Sequence, residues 1–286
     1  MMERTLDPEI LSQWIGRSET RSDTIREEPA NLMEMTLDRG PVLGDGDPLP
    51  PLWHWLYFLQ SAKMGDLGRD GHPALGGFLP PVGLPRRMWA GGRLEFLAPL
   101  RVGAQATRVS SIRDVKLKQG RTGALCFVTV RHEVSSGGTL CLWEDHDIVY
   151  REDPTPGDTA PAPPKAASDW DATEDISPSE VMLFRYSALT FNGHRIHYDR
   201  NYAREVEGHQ GLVVHGPLIA TLLADLALRR GNGKALRAFT YRAVSPVYDQ
   251  HEFSIRVRAE GRGALTLAAA QSSGALAMQA TADSNS

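Results

Sequence analysis

Apolar side chains recur at helical spacing near the start of the chain, which predicts helices over residues 7–16 and 29–37. The compact aromatic run from Trp53 to Ala62 predicts a third helix. Residues 64–87 hold many glycines and prolines and predict a long loop. Such loops are uncommon inside a compact domain and often carry function.

From Met88 to Tyr150 the pattern changes to apolar runs separated by glycine-containing turns, which predicts several strands. Proline, alanine, threonine and aspartate then dominate residues 151–169, a composition typical of a linker. Beyond it the pattern predicts a short strand near Met182–Tyr186, an apolar helix within 211–228, and further strands from Ala238 onward.

An internal repeat indicates two similar units. The run Arg93–Gly103 aligns with Thr240–Gln250, and each copy is a strand, a proline and a turn into another strand. Each copy also follows an apolar segment predicted to be helical, and this shared order strengthens the match. We therefore expect an α+β fold of two antiparallel sheets, each wrapped on a central helix. The predicted units are residues 1–152 and 177–286, with a proline-rich linker over 153–176.

Composition and charge favour a globular protein without a nucleic-acid partner. Of the 286 residues 41% are hydrophobic and 23% charged, close to the globular average, and the formal charge is −4. The one long apolar stretch contains His215, Pro217 and Asp225, so it is a poor membrane span. With no apolar leader after Met1, we expect a cytoplasmic protein. Cys126 and Cys141 are then expected to be buried, reduced thiols.

The segment Tyr186–Asp199 concentrates the candidate chemistry. A strand is expected to lead into a polar Asn192-Gly193 turn, and His197 follows five residues after the asparagine. Further on, Val214 and His215 precede Gly216 and Pro217, and proline is well suited to the first turn of a helix because its missing N–H is not needed there.

These motifs resemble the MaoC-like hydratases and dehydratases of the hot-dog fold. In that family an aromatic residue and small residues precede Asp, any residue, Asn-Pro, an apolar residue and His, and His-Gly begins the long helix. Asn192 and His197 take the Asp and His places, and His215-Gly216 takes the place at the head of the helix. Asn192 departs from the usual Asp, and a carboxamide cannot act as a base.

The whole layout resembles the double hot-dog branch that includes the type 2 hydroxyacyl-thioester dehydratases and the mesaconyl-C4-CoA and itaconyl-CoA hydratases. The runs Phe78–Trp89 and Phe191–Asp199 are similar to that branch. The resemblance implies a degenerate first unit and a catalytic second unit. It also implies hydration or dehydration of a short, dicarboxylic enoyl-CoA, with the thioester as substrate and no further cofactor.

The chemistry assigns roles to three residues. His197 would take a proton from water, Asn192 would hold the water or the thioester, and the N–H of Gly216 would bind the thioester oxygen as it gains negative charge. Each has a simpler alternative: His197 as a partner of the turn backbone, Asn192-Gly193 as a plain turn, and Gly216 as a helix-capping residue. We expect His194 to be a turn residue and His215 to pack at the helix entrance.

Several residues are candidates for binding substrate. Arg195 and Arg242 could bind phosphates of CoA, and Arg86 and Arg87 could bind a second carboxylate, although each could equally be a solvated charge. Trp89 could line the acyl pocket or close the core. The set of predicted binding residues is Arg86, Arg87, Trp89, Arg195, Val214, His215 and Arg242.

Other types of site find little support. The chain has no phosphate-binding loop, nucleophile elbow or zinc-type spacing, so we expect no metal site. Asp145-His146-Asp147 lies in a predicted strand, and we expect it at the surface. The alternatives to the hydratase are a 3-hydroxyacyl-ACP dehydratase, a non-catalytic module that binds acyl thioesters, and a thioesterase. A homodimer is expected because hot-dog units often pair.

Overall fold

The computed structural model describes residues 5–120, 123–153, 162–231 and 234–284. The strands are β1 Ser18–Thr24, β2 Arg86–Phe96, β3 Gln105–Gly120, β4 Gly123–Ser136, β5 Thr139–Arg151, β6 Ala172–Ile176, β7 Leu236–Ala243, β8 Phe253–Gly261, β9 Ala264–Gln271 and β10 Leu276–Ser284. The helices are α1 Pro8–Ser12, α2 Glu27–Thr36, α3 Glu180–Thr190 and α4 Gly216–Arg230. Short 3-10 turns cover Trp53–Leu56, Met64–Asp66 and Arg195–His197, and a π-helical turn covers Tyr202–Val206.

All ten strands form one antiparallel sheet in the order β1-β3-β4-β5-β2-β7-β10-β9-β8-β6. The order in the first half is repeated in reverse by the second half, so that β2 corresponds to β7 and β3 to β8. The two predicted sheets are therefore joined edge to edge, and the α+β class with an internal repeat is confirmed.

The repeat seen in the sequence lies at the seam between the halves. Arg93 and Thr240, the first residues of the two aligned runs, are paired directly opposite each other in β2 and β7. Gly92 permits the close approach there, because a Cβ at this position would lie 2.2 Å from the hydroxyl of Tyr241. The local pseudo-twofold axis therefore passes through the β2–β7 pair.

The second half is built around α4, which begins at Gly216 with Pro217 in its first turn. Nine of its residues are buried, and it packs on β7, β8, β9 and β10. Its apolar surface is thus covered by protein on the sheet side, as expected for a hot-dog core. Among the described helices, none combines the length and apolar character needed to cross a bilayer.

Among the described residues of the first half no helix is comparable with α4, and the prediction of a helix over Trp53–Ala62 is wrong. Only Trp53–Leu56 forms a 3-10 turn. Phe58 has a left-handed backbone with φ of 55°, and its N–H donates to the Asp23 carboxylate at 2.9 Å instead of continuing a helix. Tertiary hydrogen bonds therefore override the local pattern.

Two further predictions need correction. The short strand near Met182–Tyr186 is instead part of α3, because Ser179 caps the helix by accepting the N–H of Met182 at 3.2 Å. Exposed Val181 and Phe184 had hidden the helical period. The predicted linker is shorter than expected, because its last residues form β6, which pairs with β8.

Other boundaries shift by smaller amounts. The first helix is limited to Pro8–Ser12, and residues 154–161 of the predicted linker lie outside the described part of the chain. The division into units at 152 and 177 stays a prediction. Cys126 and Cys141 are buried and free, as expected.

Candidate active site

The turn after α3 positions the candidate residues. Phe191 ends the helix in a left-handed conformation, and the side-chain oxygen of Asn192 accepts the N–H of His194 at 2.9 Å. A short 3-10 turn then carries His197, which is 6% exposed, towards the interior. The asparagine therefore shapes the turn that presents the two histidines.

Hydrogen bonding fixes which nitrogen of His197 can act as a base. Nδ1 lies 2.7 Å from the carbonyl oxygen of Val213. A carbonyl only accepts, so Nδ1 carries the proton and Nε2 keeps its lone pair. Burial, followed by the neighbouring His194, lowers the pKa of His197 to about 3. The ring is therefore neutral near pH 7 and able to accept a proton.

His215 supports His197 from beneath. The two rings are stacked with centroids 3.6 Å apart and an interplanar angle of 19°. His215 is fully buried, and its Nε2 is 2.8 Å from the hydroxyl of Ser187 on α3. This contact places His197 directly beside the first residue of α4, Gly216. The expectation that His215 packs at the helix entrance is confirmed.

Gly216 lies in close contact with the first half of the molecule. A Cβ at this position would lie 2.7 Å from Cε3 of Trp89 on β2. Trp89 in turn stacks on Tyr241 with centroids 4.5 Å apart. Glycine thus allows the indole to lie against the N-terminus of α4, where backbone N–H groups carry partial positive charge.

A cavity of about 950 Å³ opens between the two halves in front of these residues. Six of the predicted site residues line it: Asn192, His197, Gly216, Arg87, Trp89 and Val214. The asparagine, the histidine and the head of α4 come from the second half, whereas the arginine and the tryptophan come from the first. Tertiary structure therefore brings both halves to one site.

The other four predicted residues do not line this cavity. Arg86 is buried with its Nε 3.3 Å from Glu207, and Arg195 pairs with Asp199 at 2.7 Å. Arg242 is exposed on β7, and His215 lies behind His197. Arg86 and Arg87 are thus neighbours with different surroundings, because successive side chains of a strand point to opposite faces.

Two groups of cavity residues were not identified from the sequence. The first is His194, which was expected to be a simple turn residue but is 5% exposed and bonds to Glu207 at 3.4 Å. The second is a polar cluster on β4, β5 and the 3-10 turn Trp53–Leu56, formed by His54, His132, Glu144 and His146. No fixed spacing links these positions along the chain, so sequence reasoning had no signal for them.

The polar cluster contradicts one expectation. Asp145 and Asp147 do bond to arginines outside the cavity, but His146 lines it. Glu144 accepts hydrogen bonds from His54 at 3.0 Å and from Trp55 at 2.9 Å. Burial opposes its ionisation, but the His54 hydrogen bond and the charge interactions with His54, His132 and His146 together outweigh burial and lower the pKa of Glu144 to about 2. The expectation of a surface position is therefore wrong for His146, because alternation along β5 turns its side chain to the face opposite the two aspartates.

One group of described residues has the composition of a metal site. Single ligand atoms of Asp70, His72 and His194 all lie within 4.8 Å of one another. Asp70 already accepts from Arg87 at 3.2 Å, and His194 bonds to Glu207. Two of the three side chains therefore have protein partners, and the expectation of no metal stays a prediction.

Comparison with known proteins places this arrangement in context. The model of the hydroxyacyl-thioester dehydratase type 2 family matches residues 52–249. The mesaconyl-C(4)-CoA hydratase of Chloroflexus aurantiacus is 45% identical over 273 residues, covering 94% of this chain and 96% of that protein.

Solved structures support the fold. A MaoC-like dehydratase from Phytophthora capsici has a TM-score of 0.71 at 14% identity, covering 98% of this chain and 99% of the other. A Mycobacterium tuberculosis protein with a double hot-dog fold has a TM-score of 0.59 at 14% identity, covering 95% and 96%. The double hot-dog architecture expected from the sequence is confirmed.

Proposed function

The chain belongs to the hydroxyacyl-thioester dehydratase type 2 family, and on this premise we propose that it hydrates the C4 thioester of mesaconate. The relative that is 45% identical over nearly the whole chain is a hydratase of this thioester. This supports a hydro-lyase activity on an enoyl-CoA. The observation that carries the assignment is the hydrogen bond from His197 Nδ1 to Val213, which leaves Nε2 as a base in the cavity.

The proposed roles follow from the geometry at the head of α4. Nε2 of His197 takes a proton from water, and the water oxygen adds to the carbon β to the thioester. The thioester oxygen becomes an enolate oxygen and accepts a hydrogen bond from the N–H of Gly216, which has no acceptor among the described residues. Asn192 keeps its amide NH₂ for the water or the thioester, because its oxygen is held by His194.

The substrate adds a second requirement. In the C4 thioester of mesaconate, the β carbon carries a methyl group and a free carboxylate. We assign the carboxylate to Arg87, which lines the cavity on the first-half side, and the methyl group to the wall formed by Trp89 and Val214. Itaconyl-CoA carries the same free carboxylate but has a methylene group in place of the methyl group, and it is the second substrate to be tested.

A panel of CoA thioesters tests the proposal. We expect loss of the absorbance of the conjugated double bond with mesaconyl-C4-CoA, and much slower loss with crotonyl-CoA, which lacks the carboxylate. No absorbance change with any enoyl-CoA would contradict the hydratase and favour a binding module. Release of free CoA would indicate a thioesterase, and turnover restricted to acyl-carrier-protein substrates would indicate the dehydratase alternative.

Two further proposals concern the protein as a whole. We propose a homodimer, which light scattering of the purified protein would test. We also propose a cytoplasmic location, which fractionation of expressing cells would test.

A further inference from the structure

Hydration needs two proton transfers, one from water and one to the α carbon. In the motif of the MaoC-like hydratases and dehydratases, Asp occupies the place of Asn192. The side-chain oxygen of Asn192 accepts the N–H of His194 at 2.9 Å, and a carboxamide does not act as an acid or a base at neutral pH. Asn192 therefore supplies no second acid or base, and another residue must complete the pair.

His194 lies close enough to His197 to be the second proton-transfer group. It is 5% exposed and lines the cavity, and its ring is in edge-to-face contact with that of His197, with centroids 5.5 Å apart. In the family motif this place holds Asn. The imidazole of His194 is thus a group that can gain or lose a proton, and it lies two residues after Asn192, where the motif has Asp.

A buried carboxylate stands behind this ring. Oε1 of Glu207 is 3.4 Å from Nε2 of His194, and Oε2 is 3.3 Å from Nε of Arg86 and 3.8 Å from Nε2 of His209. Burial opposes ionisation of Glu207, but the hydrogen bonds from His194 and His209 outweigh it and hold its pKa well below the usual range. An ionised carboxylate in this place compensates the positive charge of an imidazole that carries two protons.

We propose that His194, oriented by Glu207, is the second proton-transfer residue of this enzyme and protonates the α carbon. The inference rests on the proposed hydratase function. In the motif with Asp, the Asp and the His share the proton transfers, and here we assign the share of the Asp to His194. Glu207 is a positioning residue, because it acts through the imidazole.

The oxygen of water bonds to the β carbon while Nε2 of His197 takes one of its protons, and the π electrons move onto the α carbon and the thioester oxygen. Doubly protonated His194 then transfers one proton to the α carbon, and the thioester carbonyl re-forms. His197 has gained a proton and His194 has lost one, and exchange with water in the cavity restores both. Dehydration follows the same steps in reverse.

The test replaces residues 192 and 194 by those of the MaoC-like motif. We expect H194N to lower kcat by about 10²-fold or more, the range for loss of a general acid, with little change in KM. The double variant N192D/H194N should recover at least about tenfold of this loss, because Asp restores a proton-transfer group. E207Q should lower kcat more than it changes KM. The control H251N removes an exposed histidine on the turn between β7 and β8 and should retain wild-type kcat.

A second readout separates catalysis from structure. Incubated in D₂O, the wild type should exchange the α proton of the hydrated product, and H194N should lose this exchange while keeping its melting temperature. Wild-type kcat in H194N, or a double variant no more active than H194N, would overturn the proposal. A loss of wild-type activity on treatment with EDTA would also overturn it, in favour of a metal held by Asp70, His72 and His194. Failure of the wild type to hydrate any enoyl-CoA would instead disprove the proposed function.

Discussion

The Nδ1 atom of His197 lies 2.7 Å from the carbonyl oxygen of Val213, so the tautomer of His197 is set by a backbone group of the segment that leads into α4. This carbonyl precedes the head of α4 by three residues. One short segment therefore orients the base and also supplies the backbone N–H that is proposed to bind the thioester.

Replacing His197 by glutamine should abolish catalysis without disrupting the fold. The carboxamide can still donate to the Val213 carbonyl but cannot accept the proton of water, so we expect kcat to fall by about 10²- to 10⁴-fold. Absorbance assays with mesaconyl-C4-CoA measure the rate, and calorimetric titration with CoA measures retained binding. Wild-type kcat in this variant would contradict the role of His197.

Alanine at Gly216 should destabilise the protein, although alanine favours helices over glycine by about 1 kcal/mol. The added Cβ would lie 2.7 Å from Trp89, and such overpacking typically costs about 1–3 kcal/mol. The double variant G216A/W89L should regain stability because the clash is removed. Gly40→Ala is the matched control, since nothing lies within 4 Å of its Cβ. Urea unfolding measures all four proteins, and equal stability of G216A and wild type would rule out the contact.

The neighbours Arg86 and Arg87 should differ in their effect on substrate binding when each is changed to methionine. Arg86 pairs with buried Glu207, and breaking a buried ion pair typically costs about 3–5 kcal/mol, so this variant should lose stability. Arg87 lines the cavity, so its variant should raise KM for mesaconyl-C4-CoA while leaving KM for crotonyl-CoA nearly unchanged. An equal rise of both KM values would contradict recognition of the carboxylate by Arg87.

Stability should fall in mild acid because of buried neutral histidines. Burial lowers the pKa of His132 and of His197 to about 3, whereas histidine in an unfolded chain titrates near about 6.5. Between these values the unfolded state binds more protons, so stability is lost as the pH falls from about 6.5 towards 3. Each residue contributes at most about 1.4 kcal/mol per pH unit.

The pH effect can be assigned by substitution. Urea unfolding at several pH values should show a shallower slope for His132→Gln than for the wild type. The exposed His251→Gln serves as the comparison for loss of one surface histidine. A wild-type stability that does not change between pH 7 and pH 5 would contradict the prediction.

Patterns that are local or repeated allowed the sequence to predict much of the architecture. The aligned runs beginning at Arg93 and Thr240 became the paired strands β2 and β7, because equivalent edges of two similar units meet at a pseudo-twofold axis. The start of α4 was predicted from Gly216-Pro217, since proline is favoured in a first helical turn. The spacing from Asn192 to His197 identified a segment that lines the cavity, because this motif is short and continuous along the chain.

Relations between distant segments were decided only by tertiary structure. Sequence alternation shows that Arg86 and Arg87 point to opposite faces but not which face bounds the cavity. The bond of His194 to Glu207 joins two turns of the connection between α3 and α4. The helix predicted after Trp53 is prevented by a hydrogen bond from Phe58 to Asp23, 35 residues away in the chain. Hydrogen bonds and packing of this kind depend on distances in space, which a linear pattern of residues does not contain.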